Sequence, residues 1–169
     1  RKMSMKIGLS STSFCALEAE VLAPKIFEYF DHWELIAEHR QDLTVFGDRI
    51  SKLAEQSGVS LSVHLPMSDL NIASLFKRAR ELSKELVKEQ IGAGRDVGIE
   101  VFTLHPGNLS PAAFADREAA FEKNMESLRE ILIFSEDLGT TVALENMPMP
   151  HWFFGAEAGE FLGMLDELK

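Results

Sequence analysis

The chain has 169 residues, of which 46% are hydrophobic and 26% are charged, as expected for one globular domain. Its net charge of −10 argues against DNA as a partner, because tight nucleic-acid binding depends on neutralising phosphates. There is no long uninterrupted apolar stretch, so we expect no transmembrane helix and no membrane partner. The single Cys15 cannot form an internal disulfide, which predicts a cytoplasmic location.

Short apolar strands and helical segments alternate along the chain. Strands are predicted over 6–10 and 33–37, and three more end at His64, His105 and Glu145. Apolar spacing predicts helices over 16–30, 45–57, 74–97 and 156–168, and another that begins at Pro111 or Asp116. We therefore expect five βα units in one domain over 1–169, with no second domain.

The last three strands share one sequence pattern. Each begins with a glycine, continues as a short apolar strand and ends in a polar residue with a proline shortly after it. The glycines Gly58, Gly98 and Gly139 lie 40 and 41 residues apart, and the polar residues that end the strands keep the same spacing. A repeat of this length, one strand plus one long helix, is typical of a βα unit.

Two α/β architectures fit this order, an open doubly wound sheet and a (βα)8 TIM barrel. The first βα turn lacks a glycine-rich phosphate fingerprint, which leaves the dinucleotide-binding open sheet unsupported. Barrel active sites form at the carboxyl ends of strands, where this chain places its reactive residues. We therefore predict a TIM barrel with only about its first five βα units present, because a whole barrel takes roughly 250 residues. Such a fragment would expose open edges, which a homo-oligomer could cover.

His64, His105 and Glu145 are predicted to bind one divalent metal ion. Imidazole and carboxylate are ligands that suit zinc best, with manganese as the alternative. Adjacent strands lie about 5 Å apart, so three successive strand ends can converge on one ion.

Four further residues are candidates for substrate binding. Glu38 and His39 end the second strand, where they either face a substrate or form a solvated loop pair. Asn146 could orient Glu145, touch a substrate or serve the structure alone. Trp152 belongs to an aromatic loop that could form a wall beside a sugar or a flipped nucleotide, or pack on neighbouring loops.

The segments 62–74, 104–109 and 144–148 resemble the endonuclease IV / xylose isomerase-like TIM-barrel superfamily. The His105-Pro106-Gly107 and Glu145-Asn146 sequences are the most specific marks of this resemblance, which extends over essentially the whole chain. In endonuclease IV the histidines at these strand ends and this glutamate share one zinc, and the glutamate bridges to a second. Sugar isomerases and epimerases of the superfamily use the glutamate as ligand or base, which makes Glu145 the catalytic candidate. The superfamily's other ligands come from strands six to eight.

Three functions follow from the resemblance. The first is a metal-dependent sugar or sugar-phosphate isomerase or epimerase with a small sugar substrate, which the acidic charge favours. The second is an endonuclease IV-type zinc phosphodiesterase acting on abasic DNA, which the two histidines favour and the charge opposes. The third is a non-catalytic truncated barrel, since strands six to eight are not in this sequence.

The helix over 74–97 carries interleaved basic and acidic residues. Lys77, Arg78, Arg80, Lys84 and Lys88 alternate with Glu81, Glu85 and Glu89. This pattern predicts a solvated helix face with ion pairs, and we do not interpret it as a nucleic-acid patch.

Overall fold

The strands form one parallel sheet in which each strand pairs with its neighbour along the chain. A computed structural model describes residues 6–148 and 151–169. The strand order is β1-β2-β3-β4-β5. A doubly wound sheet reverses its strand order at a switch point, whereas a barrel adds strands in sequence. The order therefore confirms the predicted partial TIM barrel. The strands are β1 Gly8–Ser10, β2 His32–Ile36, β3 Ser60–His64, β4 Val101–Leu104 and β5 Thr141–Leu144.

The helices follow the strands and pack against one another in chain order. Contacts join α1 to α2, α2 to α3, α3 to α5 and α5 to α6. None of the helices described is long and apolar enough to cross a bilayer. The predicted loop before the last helix includes Met149 and Pro150, which lie outside the described residues. The helices are α1 Ala19–Tyr29, α2 Leu43–Ser57, α3 Lys77–Asp96, α4 Pro111–Ala115, α5 Arg117–Asp137 and α6 Ala158–Leu168.

The ends of the helices follow the sequence signals closely. The stretch after β4 contains two helices rather than one, so Pro111 begins α4 and Asp116 directly precedes α5. The side chain of Ser110 caps α4 and that of Asp116 caps α5. Gly58 ends α2 with a φ of 72°, a left-handed conformation that glycine adopts without steric cost.

The two faces of the sheet differ in chemistry. Side chains that alternate along the strands, such as Trp33, Leu35 and Phe102, are buried in the hydrophobic core beneath the helices. The opposite, inner face is polar. On this face Thr103 Oγ1 donates to Glu34 Oε2 over 3.1 Å, and other hydrogen bonds join β2 to β3. The core therefore lies between sheet and helices, and the inner face is left for polar groups.

The charged face of α3 is less solvated than the sequence predicts. Arg80 and Lys84 are buried. Lys84 Nζ lies 2.7 Å from Glu130 Oε2 and 2.9 Å from Glu81 Oε2. The predicted ion pairs are present, but a fully solvated face was the wrong expectation, because α5 packs against this side of α3.

Candidate metal centre

The ends of β3, β4 and β5 bring the three predicted metal ligands together. His64 is the last residue of β3, while His105 and Glu145 each directly follow their strand. The parallel ladder continues past the strand ends, because Leu65 N donates to Thr103 O and Glu145 N donates to Leu104 O, both over 2.9 Å. The carboxyl ends of the three strands therefore lie at one level, with the three side chains side by side.

The ligand atoms of these side chains form a tight triangle. His64 Nε2 lies 3.0 Å from His105 Nε2, and Glu145 Oε2 lies 3.0 Å from His105 Nε2 and 3.5 Å from His64 Nε2. Metal bonds to these atoms are about 2.0–2.2 Å long, so the three atoms are close enough to share one ion. Within residues 6–148 and 151–169 this is the one group of histidine, cysteine or carboxylate side chains with such spacing.

His64 is held in the orientation that a metal ligand needs. Its Nδ1 lies 2.9 Å from Leu65 O, and because a carbonyl only accepts, Nδ1 must carry the proton. A neutral ring then has its lone pair on Nε2, the atom that points at His105 and Glu145. A backbone carbonyl behind the ring fixes both tautomer and orientation, as it does for histidines in metalloproteins generally.

The environment of the site favours a neutral imidazole at His105. The His64 side chain is 6% exposed, that of His105 is 15% exposed and that of Glu145 is 48% exposed. Burial, followed by the proximity of the His64 ring, lowers the pKa of His105, and the hydrogen bond to Glu145 opposes this shift without cancelling it. The lowered pKa favours the neutral form of His105, which is the form that binds a metal.

Glu38 and His39 lie at the end of β2, as predicted, and differ in their surroundings. Glu38 Oε1 accepts hydrogen bonds from Met67 N at 2.5 Å and Ser68 N at 2.7 Å. Burial alone would raise the pKa of Glu38, but these bonds from Ser68 and Met67 outweigh it, so the pKa is lowered. One oxygen of Glu38 thus holds the loop that follows His64. His39 is exposed, with a φ of 53°.

Asn146 and Trp152 lie in the segment that follows β5. Asn146 is exposed and directly follows Glu145. Trp152 is 58% exposed, and its ring meets that of Phe114 edge to face at 6.1 Å. Its carbonyl accepts a hydrogen bond from Leu109 N over 2.8 Å. Trp152 therefore packs on the loop after β4 and keeps much of its ring accessible.

A cavity of about 280 Å³ opens beside His105, between the loops that follow β3 and β4. Its walls are mainly apolar, with Met67 and Phe153 among the lining residues, and Asn71 and Asn108 add polar groups. Phe153 belongs to the aromatic loop that was predicted as a possible wall for a ligand, whereas no role was predicted from the sequence for Met67, Asn71 or Asn108. Asn71 lies within the segment 62–74 that carries the resemblance, but nothing in its spacing shows what its side chain contacts.

The chain matches a known protein family along most of its length. The family described as xylose isomerase-like TIM barrel matches residues 25–169. Two similar proteins come from Methanocaldococcus jannaschii, and both are named as uncharacterized. Protein MJ1311 is 32% identical over 148 residues, which is 86% of this chain and 50% of that protein. Protein MJ1614 is 28% identical over 168 residues, which is 98% of this chain and 65% of that protein.

Solved structures of similar fold include enzymes that act on sugars. A D-tagatose 3-epimerase-like protein superposes with a TM-score of 0.85 and 30% identity, covering 97% of this chain and 60% of that one. A D-psicose 3-epimerase solved in the presence of D-fructose gives a TM-score of 0.77 at 18% identity, with the same coverage. The chain thus spans about half to two thirds of the length of these relatives.

Proposed function

Because the chain belongs to the xylose isomerase-like TIM-barrel family, we propose that it carries the metal-binding part of a sugar or sugar-phosphate isomerase or epimerase. The observation that supports this most directly is the triangle of His64, His105 and Glu145 at the carboxyl ends of three neighbouring strands. Catalytic groups of TIM barrels lie at that end of the barrel. The sugar epimerases among the structures of similar fold support the substrate class.

The three side chains suit a divalent ion, with zinc as the first expectation and manganese as the alternative. Two imidazole nitrogens and one carboxylate oxygen are a ligand set that zinc accepts, and a carboxylate also suits manganese. Within this chain His64 is already oriented by Leu65 O, and the lowered pKa of His105 favours its neutral ring. A bound ion would polarise the carbonyl and hydroxyl oxygens of a sugar.

Glu145 is the residue to which we assign catalysis as well as metal binding. Its Oε2 contacts both imidazoles, and the side chain is nearly half exposed at the open end of the strands. The second carboxylate oxygen could hold or accept a proton from a hydroxyl or carbon of a sugar beside the ion. The histidines are buried, which suits residues that only bind the metal. The glutamate is more exposed, which suits a residue that also contacts the substrate.

The surroundings of the triangle offer room and contacts for a sugar. The exposed ring of Trp152 presents an apolar face on which a sugar could pack, and Asn146 offers an amide beside Glu145. The exposed His39 is a further candidate for substrate contact. Glu38 would act through the loop that it holds, although its second oxygen could also reach a substrate.

Metal analysis of the purified chain tests whether His64, His105 and Glu145 bind a metal ion, on which both candidate reactions depend. We expect the protein to bind zinc or manganese, and we expect His64→Ala to weaken binding by more than the 10–100-fold that loss of an outer-shell partner costs. His151→Ala, which removes an exposed histidine of the loop after β5, is the matched control and should leave the metal dissociation constant unchanged. If the unchanged protein binds no divalent ion, the proposal fails.

Turnover assays then separate the candidate reactions. We expect metal-loaded full-length protein to interconvert ketoses or their phosphates and to leave abasic DNA intact, in keeping with the net charge of −10. Cleavage of abasic DNA without ketose turnover would instead support an endonuclease IV-type activity, for which the two histidine ligands are the favourable observation. Metal binding with neither activity would indicate a non-catalytic barrel.

A further inference from the structure

We infer that Asn71 is a positioning residue that joins the loops behind the three metal ligands into one unit, so that its loss weakens metal binding although it binds no metal itself. This inference rests on the proposed metal site. Asn71 lies in the loop after β3, which begins directly after His64, and its side-chain amide reaches the loop after β4.

The amide of Asn71 pairs with the backbone of Asn108 as a neighbouring strand would. Oδ1 accepts from Asn108 N over 3.0 Å, and Nδ2 donates to Asn108 O over 3.0 Å. Oδ1 also accepts from Ala73 N over 2.9 Å, which fixes the turn of its own loop. An asparagine side chain has one acceptor oxygen and one donor nitrogen, and both are used here.

The other side of the same backbone segment is held by the loop after β5. Asn108 forms an antiparallel bridge with Phe153. Leu109 N donates to Trp152 O over 2.8 Å, and Phe154 N donates to Gly107 O over 3.2 Å. Residues 107–109 therefore lie between the amide of Asn71 and the segment 152–154.

This arrangement extends to Glu145. Met147, two residues after Glu145, is buried and donates its N–H to Gly155 O over 3.2 Å. The segment that contacts residues 107–109 is thus tied to the chain just beyond the carboxylate ligand. Hydrogen bonds therefore connect the loops that follow His64, His105 and Glu145, and Asn71 supplies the connection between the first two.

Hydrogen bonds to two helices hold the contact between Asn71 and residues 107–109 in place. Its backbone N–H donates to Ser83 Oγ on α3 over 2.9 Å. On the far side, Gly107 N donates to Asn124 Oδ1 of α5 over 2.7 Å, so helices α3 and α5 hold the two halves of the contact. Mutation of groups bonded directly to metal ligands commonly lowers metal affinity by about 10–100-fold. Asn71 acts one step further out, through the backbone of the two loops, so we expect an effect at the lower end of that range.

The experiment measures zinc and manganese dissociation constants by competition with a chromophoric chelator, at a temperature where each variant is folded. We expect Asn71→Ala to raise the constant by about 10-fold or more. Gln90→Ala is the matched control, because Gln90 is a buried amide of α3 that also makes two hydrogen bonds, to Leu43 N and to Asp42 Oδ1, away from the metal ligands. It should leave metal binding within about 2-fold of the unchanged protein.

Asn71→Asp keeps the acceptor oxygen and loses the donor to Asn108 O, so it tests the contact between loops with less damage to the fold. Its added negative charge would by itself favour a cation. Metal binding weaker than that of the unchanged protein would therefore report the lost hydrogen bond. Binding as tight as that of the unchanged protein in both Asn71→Asp and Asn71→Ala would overturn the inference.

Hydrogen exchange of the metal-free protein supplies a readout that needs no metal. We expect faster exchange of the Ala73 and Asn108 amides in Asn71→Ala and unchanged exchange there in Gln90→Ala. Equal losses of metal affinity in the two variants would show a general effect of stability and would contradict the inference. If the unchanged protein binds no metal, the proposed function fails; if it binds metal and Asn71→Ala binds it equally well, only this inference fails.

Discussion

At the scale of single residues, the loops beside the site pack so closely that a larger side chain at Gly107 would not fit. Gly107, next to the paired backbone of Asn108, is buried where the loops after β3 and β4 touch. A Cβ built at this position would lie 2.3 Å from Ala73 Cβ and 2.6 Å from Ala73 N. Real Cβ atoms do not approach so closely, so the glycine is needed for contact between the loops and not for an unusual φ.

Gly107→Ala should therefore lower the free energy of unfolding by about 1–3 kcal/mol, the usual cost of overpacking. Gly92→Ala is the matched control, because Gly92 lies inside α3 and an added Cβ would meet nothing within 4 Å. Alanine is the better helix former, so this variant should be more stable by up to about 1 kcal/mol. Urea unfolding of both variants should give changes of opposite sign in the free energy of unfolding. A Gly107→Ala variant as stable as the unchanged protein would contradict the packing described.

At the scale of the elements, α3 and α5 are joined by ion pairs around a buried lysine. Lys84 lies between Glu81 of its own helix and Glu130 of α5. Burial alone would lower the pKa of Lys84, but its hydrogen bonds to Glu130 and Glu81 outweigh burial, so the pKa is raised. Its charged form is therefore favoured by folding, and the two carboxylates would lose their main partner without it.

Lys84→Met should reduce the free energy of unfolding at pH 7 by about 1–2 kcal/mol, less than for a fully buried pair because both glutamates are nearly half exposed. The contribution of a group whose pKa rises on folding is full below its unfolded pKa, here about 10.5, and is lost as the pH rises through the folded value. The difference between the two proteins should thus shrink above about pH 10.5.

Lys88→Met is the control for this network. Lys88 Nζ lies 3.7 Å from Glu130 Oε2, and its side chain is more exposed than that of Lys84. Its loss should change the free energy of unfolding by less than about 1 kcal/mol at pH 7. Equal effects of the two substitutions in chemical denaturation would show that burial of Lys84 adds nothing to the stability of the helix pair.

At the scale of the whole molecule, the sheet described has two edge strands, β1 and β5. In β5, the side chains of Thr141 and Ala143 lie on the inner face of the sheet and are exposed. Open edges present unpaired backbone groups that pair readily with another chain. We therefore expect the 169-residue chain to self-associate through the β5 side of the sheet.

Sedimentation velocity at tens of micromolar protein should detect dimers or larger species. Ala143→Lys places a charge on the exposed face next to this edge and should shift the distribution towards monomer. Ala112→Lys makes the same change of charge at an exposed position of α4, so it should sediment like the unchanged chain. A chain that stays monomeric at all concentrations would contradict the prediction.

Much of this architecture is predictable from the sequence because it depends on local signals. Apolar periodicity, helix-ending glycines and the repeat of 40 or 41 residues place five strands and their helices, with errors of a few residues at the ends. The burial of Lys84 is not predictable in this way, since it depends on how α5 packs against α3.

By itself, the sequence determined that His64, His105 and Glu145 stand at equivalent strand ends and that the chain resembles one family of barrels. Only the tertiary structure decided that their ligand atoms lie 3.0 to 3.5 Å apart, that Glu38 holds a loop and that Asn71 joins two others. The physical reason is the separation along the chain. Strand ends repeat with a period that can be read locally, whereas a hydrogen bond between Asn71 and Asn108 joins residues whose approach depends on the packing of the elements between them.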